Sequence, residues 1–270
     1  MNILSWENFL SDDADREAAL GTKKKVALTI GVFDGVHAGH QSLLAEVVKE
    51  KDCVSLVVTF TENPAKVLTP DEYGGDIQTQ DQKLATLAQI GIDAVILIDF
   101  SSDFSKLSGR QFFDILLSRL SLAYVVLGSD FVCGYRGDTT ASDIRLMLED
   151  KHIPVAILPP MLYRGKPISS TRIREAIRQG DLASAHAMLG RSYILDMKRV
   201  TVEGKDGEGI VQVDEILQPV PEKGEYPVII QNAHERKIGS MRVADGWIRY
   251  KPLMRQTMYI EFCTERDELK

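Results

Sequence analysis

"TIGVFDGVHAGHQSLL", residues 29–44, runs from an apolar stretch through three glycines into an amphipathic pattern, with His37 and His40 three residues apart. A strand ending near Val32 and a helix beginning around Ala38 account for it, with Leu43, Leu44, Val47 and Val48 as the apolar stripe of the helix. Gly31, Gly35 and Gly39 permit tight turning and close approach of a ligand to the backbone. The first N–H groups of such a helix point outward at its positive dipole end, which suits an anion. At i and i+3, His37 and His40 present their ring nitrogens on one side, where they can donate hydrogen bonds to phosphate. Alone, the pair also fits a tight turn with incidental histidines. It fits two metal ligands as well, although no third ligand stands at a recognisable spacing.

Working outward, "VALTIGVF" (26–33), "CVSLVVTF" (53–60), "AVILIDF" (94–100), "AYVVLG" (123–128) and "VAILPP" (155–160) are strand-length, almost continuously apolar runs. Such runs are expected of strands buried on both faces of a parallel sheet. Between them lie helical patterns. Leu84, Leu87 and Ala88 share a face that stops at Gly91, and Ser108 caps a second helix carrying Phe112, Leu116 and Leu120. The β-α-β-α-β order predicts an α/β fold, a doubly wound parallel sheet whose ligands bind beyond the carboxyl ends of its strands. After about residue 190 the texture changes to short alternating runs split by Gly, Asp-Gly and Pro, as in a small antiparallel β-barrel. The expected domains are therefore 1–190 and 191–270.

The chain has 270 residues and a net charge of -7, which leaves no excess of Lys and Arg for binding nucleic acid or an anionic membrane. Cys53, Cys133 and Cys263 are far apart without metal-ligand spacing, so each is expected as a reduced thiol. The first twenty residues carry no basic region, and the longest apolar runs are too short to span a bilayer. A cytoplasmic setting is expected, without a leader peptide. The solvated lead-in "KKK" (23–25), His152, His186 and His234 read as surface or loop residues, and Trp6 and Trp247 as packing anchors.

A second segment supplies what the histidine pair lacks. "YRGKPISSTRIREAIRQGD" (163–181) opens a helix with Ser169, Ser170 and Thr171, which are cap and hydroxyl-donor residues. Arg164, Lys166, Arg172, Arg174 and Arg178 make it the most cationic stretch of an acidic chain. Arg174 lies three residues beyond Thr171, on the same face, where its guanidinium can fork two phosphate oxygens.

"GVFDGVHAGH" resembles the HxGH signature of the nucleotidyltransferase superfamily, and "ISSTRIR" its second signature in the form found in bacterial FAD synthetases. "TFTENPAKVL" (59–68) resembles that family's T-F-x-P-x-P flavin segment, and "GSDFVCG" (128–134) its G-x-D-F-x-F-G segment. The resemblance covers about residues 24–192. It implies a Rossmann-like fold and a reaction in which FMN and ATP, with Mg²⁺, give FAD and pyrophosphate. It also implies catalytic roles for His37, His40 and Arg174. Gly31, Phe33, Asp34, Gly35, Gly39, Asp130, Ser169, Ser170 and Thr171 are the implied nucleotide-binding residues, and Phe60, Asn63, Pro64 and Phe131 the implied flavin-binding residues. No metal ligand is assigned. Glu62 stands where the family usually has a proline, and Cys133 where it usually has an aromatic residue. These departures leave open an HxGH nucleotidyltransferase with another phosphorylated acceptor; a second alternative is an inactive flavin- or nucleotide-binding sensor with an altered C-terminal barrel as its output surface.

Many members of that family carry a C-terminal riboflavin kinase barrel marked by P-T-A-N. Residues 191–270 contain no P-T-A-N, and the usual glycine- and proline-bearing phosphate segment is missing. A degenerate or repurposed barrel without kinase activity is expected, with a short tail.

Overall fold

The computed structural model describes residues 1–11, 13–20, 25–100 and 103–263. Lys23 and Lys24 of the expected lead-in, and the tail beyond Cys263, lie outside these. The chain divides into two compact units. Met1–Glu72 and Leu84–Met161 make the first, and Tyr73–Lys83 and Leu162–Lys270 the second.

In the first unit, β1 (Asn2–Ser5) is followed by α1 (Trp6–Ser11) and α2 (Asp13–Leu20), and β2 (Lys25–Ile30) leads into α3 (Ala38–Val48). β3 (Cys53–Phe60) precedes α4 (Ala65–Leu68) and α5 (Gln80–Ile90); the first four residues of α5 count with the second unit. β4 (Ala94–Ile98), α6 (Gly109–Arg119) and β5 (Leu122–Gly128) follow. A short ladder of β6 (Val132–Cys133) and β7 (Thr139–Thr140) then opens α7 (Ala141–Glu149), and β8 (Val155–Leu158) closes the unit. The sheet is parallel throughout, in the order β1-β4-β3-β2-β5-β8.

The continuous apolar runs become two-faced strands, as their composition requires. Val26, Leu28, Ile30, Leu56 and Val58 pack with Phe112, Phe113 and Leu116 of α6 and with Ile144 and Leu148 of α7. On the other face, Val57, Val95 and Leu97 pack with Leu44 and Leu87, and Ala27 and Val126 with Val47. Each such fully buried aliphatic or aromatic side chain contributes about 1.5–3 kcal/mol of transfer free energy. Helices therefore cover both faces of the sheet. Ser108 caps α6 in a reciprocal capping box with Gln111, and Gly91 ends α5 at φ 98°. Trp6 packs against Phe9, Phe104 and Phe112 as an anchor. The strand Asn2–Ser5 was not among the expected ones: it is a four-residue edge strand beside β4, with polar Asn2 and Ser5 at its ends and only two apolar residues between them.

The second unit opens with a hairpin of β9 (Leu162–Tyr163) and β10 (Lys166–Pro167), followed by α8 (Ser170–Arg178) and α9 (Leu182–Leu189). Then come β11 (Ile194–Asp196), β12 (Glu203–Lys205), β13 (Glu208–Gln212), β14 (Gly224–Gln231), β15 (Arg236–Ala244), β16 (Trp247–Lys251) and β17 (Tyr259–Phe262). They form one antiparallel sheet in the order β11-β17-β14-β15-β16-β13-β12. Alternation sets its inner face: Val228, Ile230, Met241, Val243, Ile248, Tyr250, Ile260 and Phe262 are all buried.

The compact units divide the chain differently from the expected boundary near residue 190. Ile173, Ala176 and Ile177 of α8, and Ala185 and Leu189 of α9, share one core with Leu195, Val228 and Phe262 of the antiparallel sheet. Both helices therefore pack as part of the second unit. Tyr73–Lys83 belongs there because Ile77 is buried in the same core. Gln218 donates to the Ile77 carbonyl at 2.9 Å, and Thr79 donates to Asp196 at 2.8 Å.

Candidate active site

The order of the parallel sheet reverses at β2: β3 lies on one side of it and β5 on the other. Beyond the carboxyl ends of two such strands, connections lead away to opposite faces and leave a crevice for a ligand. The segment after β2, Gly31–His37, sits at that reversal.

Its backbone is unusual. Phe33 (φ 53°), Gly35 (φ 77°) and Val36 (φ 36°) all adopt left-handed conformations. For Phe33, and above all for β-branched Val36, this stores strain of roughly 1–3 kcal/mol per residue. Of the three glycines singled out in sequence, only Gly35 is there for its φ. A side chain on Gly31 would press on the Phe33 ring, and one on Gly39 would press on the His37 ring, each at 3.3 Å. At those two positions the lack of a side chain leaves room for the two rings, which would otherwise have to give by a few tenths of an ångström. The Phe33 side chain is fully buried, so what Phe33 can offer a ligand is its backbone.

His37 is the N-cap of α3: its Nδ1 accepts a hydrogen bond from the His40 backbone N–H at 3.3 Å. A nitrogen that accepts carries no proton, so the neutral His37 ring holds its proton on Nε2. The His37 and His40 rings stack with centroids 3.6 Å apart and planes 15° apart, and His40 meets the Phe33 ring edge-on at 5.1 Å. His37 is buried and His40 half-buried. Gln41 N–H bonds to the His37 carbonyl at 2.9 Å. The arrangement places two stacked imidazoles and the positive end of a helix at the carboxyl end of β2. That donor set suits a phosphate.

Other expected residues flank this loop on the neighbouring strands. Asp130 and Phe131 follow β5. Phe131 closes a turn onto the Gly128 carbonyl at 3.1 Å and packs partly against the core. Asp130 is exposed, and its carboxylate folds back over Gly128, where a Cβ would lie 2.8 Å from Oδ1. Phe60 ends β3 with its ring edge-on to Phe100 and Phe104, at 5.9 and 6.0 Å. Buried Asn63 accepts from the Ala65 N–H at 3.1 Å and shapes the turn into Pro64 and α4. Glu62 is exposed and pairs with Lys66 at 3.6 Å, a surface ion pair of little energetic consequence.

The segment from Gly128 to Thr140 is braced by Asp138, which sequence reasoning did not single out. Its carboxylate accepts from the Gly109 N–H at 3.0 Å and the Thr139 hydroxyl at 2.7 Å, and these two bonds hold its pKa below the usual carboxylate range. Cys133 lies in the same segment. Burial, helped by the Asp138 charge, pushes its thiol up to about 12. A thiol with a raised pKa stays protonated at neutral pH, and the thiolate is the reactive form. Cys133 is therefore expected to resist iodoacetamide at pH 8 in the native protein and to be alkylated readily in urea. Residue-resolved mass spectrometry checks this, and equal rates in both states would contradict it.

The cationic segment belongs to the second unit. Ser169 caps α8 by accepting from the Arg172 N–H at 3.3 Å. Ser170 is half-buried and Thr171 exposed on the first turn of that helix. Most of the arginines have local structural work. Arg172 donates to the carbonyls of Tyr163, Lys166 and Pro167 and so closes the β9–β10 hairpin onto α8. Arg178 donates to the Gly74 carbonyl and Arg174 Nε to the Gly75 carbonyl, both at 2.7 Å. Spacing alone did not reveal these backbone partners, because Gly74 and Gly75 lie about a hundred residues earlier. Arg174 is half-buried, with its Nε fixed at one side.

Among the described residues, no group of three or more His, Cys, Asp or Glu side chains converges to hold a metal ion. No helix among them is long and apolar enough to cross a membrane.

A family model described as FAD synthetase matches residues 20–172, more than half of the chain. The chain belongs to the FAD synthetase family. It is 30% identical over 184 residues to a bifunctional riboflavin kinase/FMN adenylyltransferase of Bacillus subtilis, covering 67% of this chain and 57% of that protein. It is also 30% identical over 175 residues to a FAD synthetase of Listeria monocytogenes, covering 64% and 71% respectively. The chain spans about half the length of several of these relatives, at 57%, 54% and 55%. A crystal structure described as a macrolide-efflux protein from Streptococcus pneumoniae shares the fold, with a TM-score of 0.77 and 24% identity over 97% of this chain and 90% of that one. Both sheets of the FAD synthetase-family chain thus have a counterpart of known architecture.

Proposed function

We propose that this chain is an FMN adenylyltransferase, transferring AMP from ATP to FMN to give FAD and pyrophosphate, in the cytoplasm and without riboflavin kinase activity. The observation that carries this reading is the stacked His37–His40 pair at the sheet's reversal point, at the start of a helix, in a chain of the FAD synthetase family.

A phosphate oxygen of FMN attacks the α-phosphorus of ATP; the new P–O bond forms as the bond from the α-phosphorus to the α,β-bridging oxygen breaks, and pyrophosphate leaves. No protein nucleophile takes part, so the chain's task is positioning and charge stabilisation. His37 Nε2–H, the His40 ring and the first turn of α3 donate to the ATP phosphates and the leaving pyrophosphate. Arg174 is assigned a catalytic role and Ser169, Ser170 and Thr171 nucleotide binding, and the backbone of Gly31, Phe33, Asp34, Gly35 and Gly39 shapes the nucleotide loop. Asp130 takes part in nucleotide binding. Phe60, Asn63, Pro64 and Phe131 line the flavin side. Mg²⁺, when bound with ATP, would supply charge neutralisation at the phosphates, and no side chain of this chain is assigned as its ligand. The reaction is assigned to residues 1–190, and residues 191–270 to a repurposed kinase-type barrel.

The test is to incubate the chain with ATP, Mg²⁺ and separately FMN, riboflavin or other phosphorylated acceptors, and to measure FAD, FMN and pyrophosphate. FAD and pyrophosphate from FMN, with no FMN made from riboflavin, is the expected result. Pyrophosphate without FAD points to another acceptor, and nucleotide binding without pyrophosphate to a sensor.

A further inference from the structure

The left-handed turn after β2 is held at both ends by side chains that belong to neither histidine. Thr59, fully buried near the end of β3, donates its hydroxyl to the Val32 carbonyl at 3.0 Å. Gln41, half-buried on α3, donates its side-chain N–H to the Val36 carbonyl at 2.9 Å. Between those two carbonyls lie Phe33, Gly35 and Val36, all with positive φ. Beyond the second comes His37, whose ring caps the helix.

Strained backbone persists only where its surroundings over-determine it. Here one clamp comes from the central sheet and the other from the first turn of α3, both rigid elements. Relaxation of Val36 towards an ordinary φ would swing the peptide that precedes His37 and draw its Nδ1 from the His40 N–H. We propose that Thr59 and Gln41 are positioning residues, which keep the turn in its strained form and so hold His37 as an Nε2–H donor stacked on His40. Neither need touch a substrate. The proposal rests on the adenylyl-transfer reading for its kinetic consequence and on geometry alone for its structural one.

The experiment uses the full chain with Thr59→Val, Thr59→Ser and Gln41→Met. It measures kcat and KM for ATP and FMN, thermal midpoints, and the ¹H–¹⁵N pattern of the histidine rings, which separates the two neutral tautomers. Thr59→Val removes the donor at nearly constant volume, and Gln41→Met removes it at constant length. Both are expected to lower kcat for FAD formation by roughly 10- to 100-fold, the scale of a small misplacement of a catalytic group. KM for FMN is expected to stay within about twofold. In both variants His37 loses its clean Nε2–H signature, whereas Thr59→Ser keeps it and most of the turnover. Variants that fold with wild-type kcat and an unchanged His37 signature would overturn the proposal. If Thr59→Val fails to fold, Gln41→Met, at a half-buried position, decides. If the unmodified chain forms no FAD, the adenylyl-transfer reading fails and the His37 signature still tests the clamp.

Discussion

Replacing His40 with alanine is expected to lower turnover in FAD formation by roughly 100- to 1000-fold, the effect of losing one pre-positioned donor to a charge that builds in the transition state. The geometry explains why one side chain matters so much. His40 is stacked on His37 at 3.6 Å and braced edge-on by Phe33, so its orientation is fixed before substrate arrives and little reorganisation remains to be done during the reaction. Stability should change far less. His40 is half-buried on the first turn of α3, and alanine is the better helix former. The His37 cap accepts from the His40 backbone N–H, which alanine retains. The measurement is kcat beside a urea midpoint. Wild-type turnover in the variant would remove His40 from the reaction.

Gly134→Ala is expected to cost about 3 kcal/mol or more in the stability of the first unit, among the largest effects of any single methyl group here. Gly134 adopts φ 83° and ψ 176°, a conformation essentially reserved for glycine. A Cβ there would overlap the Gly109 amide nitrogen and the Asp138 carboxylate. Those two groups are bonded to each other, so the methyl would also break the brace that ties the Gly128–Thr140 segment to the start of α6. Because α6 contributes Phe112, Phe113 and Leu116 to the core, the damage spreads inward. Chemical denaturation checks the prediction, and a midpoint equal to that of the unmodified chain would contradict it.

The parts of the molecule written in local pattern were legible in the sequence. "CVSLVVTF" forms a strand over Cys53–Phe60, Ser108 caps a helix, and α3 begins at Ala38, because periodicity and capping are short-range properties. What escaped was non-local or ran against propensity. The segment Tyr73–Lys83 packs with the second unit through Ile77 and Gln218, and no local pattern announces a partner 141 residues away. Phe33 and Val36 are poor residues for a left-handed turn, so the glycines drew attention and the strained neighbours did not. In the cationic segment 163–181, spacing pointed to the helix cap and to Arg174 as a phosphate ligand, and gave Arg172 and Arg178 no partners. Arg172 and Arg178 satisfy backbone carbonyls of the hairpin and of Gly74. Of the site itself, the histidine pair and its strand-to-helix setting were readable. The clamps at Thr59 and Gln41 needed coordinates.

The most direct measurement of the central claim is isotopic. FMN labelled with ¹⁸O in its phosphate is incubated with the chain, unlabelled ATP and Mg²⁺, and the products are weighed by mass spectrometry. Direct attack of the FMN phosphate on the α-phosphorus predicts FAD that keeps the label, one pyrophosphate per FAD, and no ¹⁸O in the pyrophosphate. Absence of FAD, or label in the pyrophosphate, would contradict it.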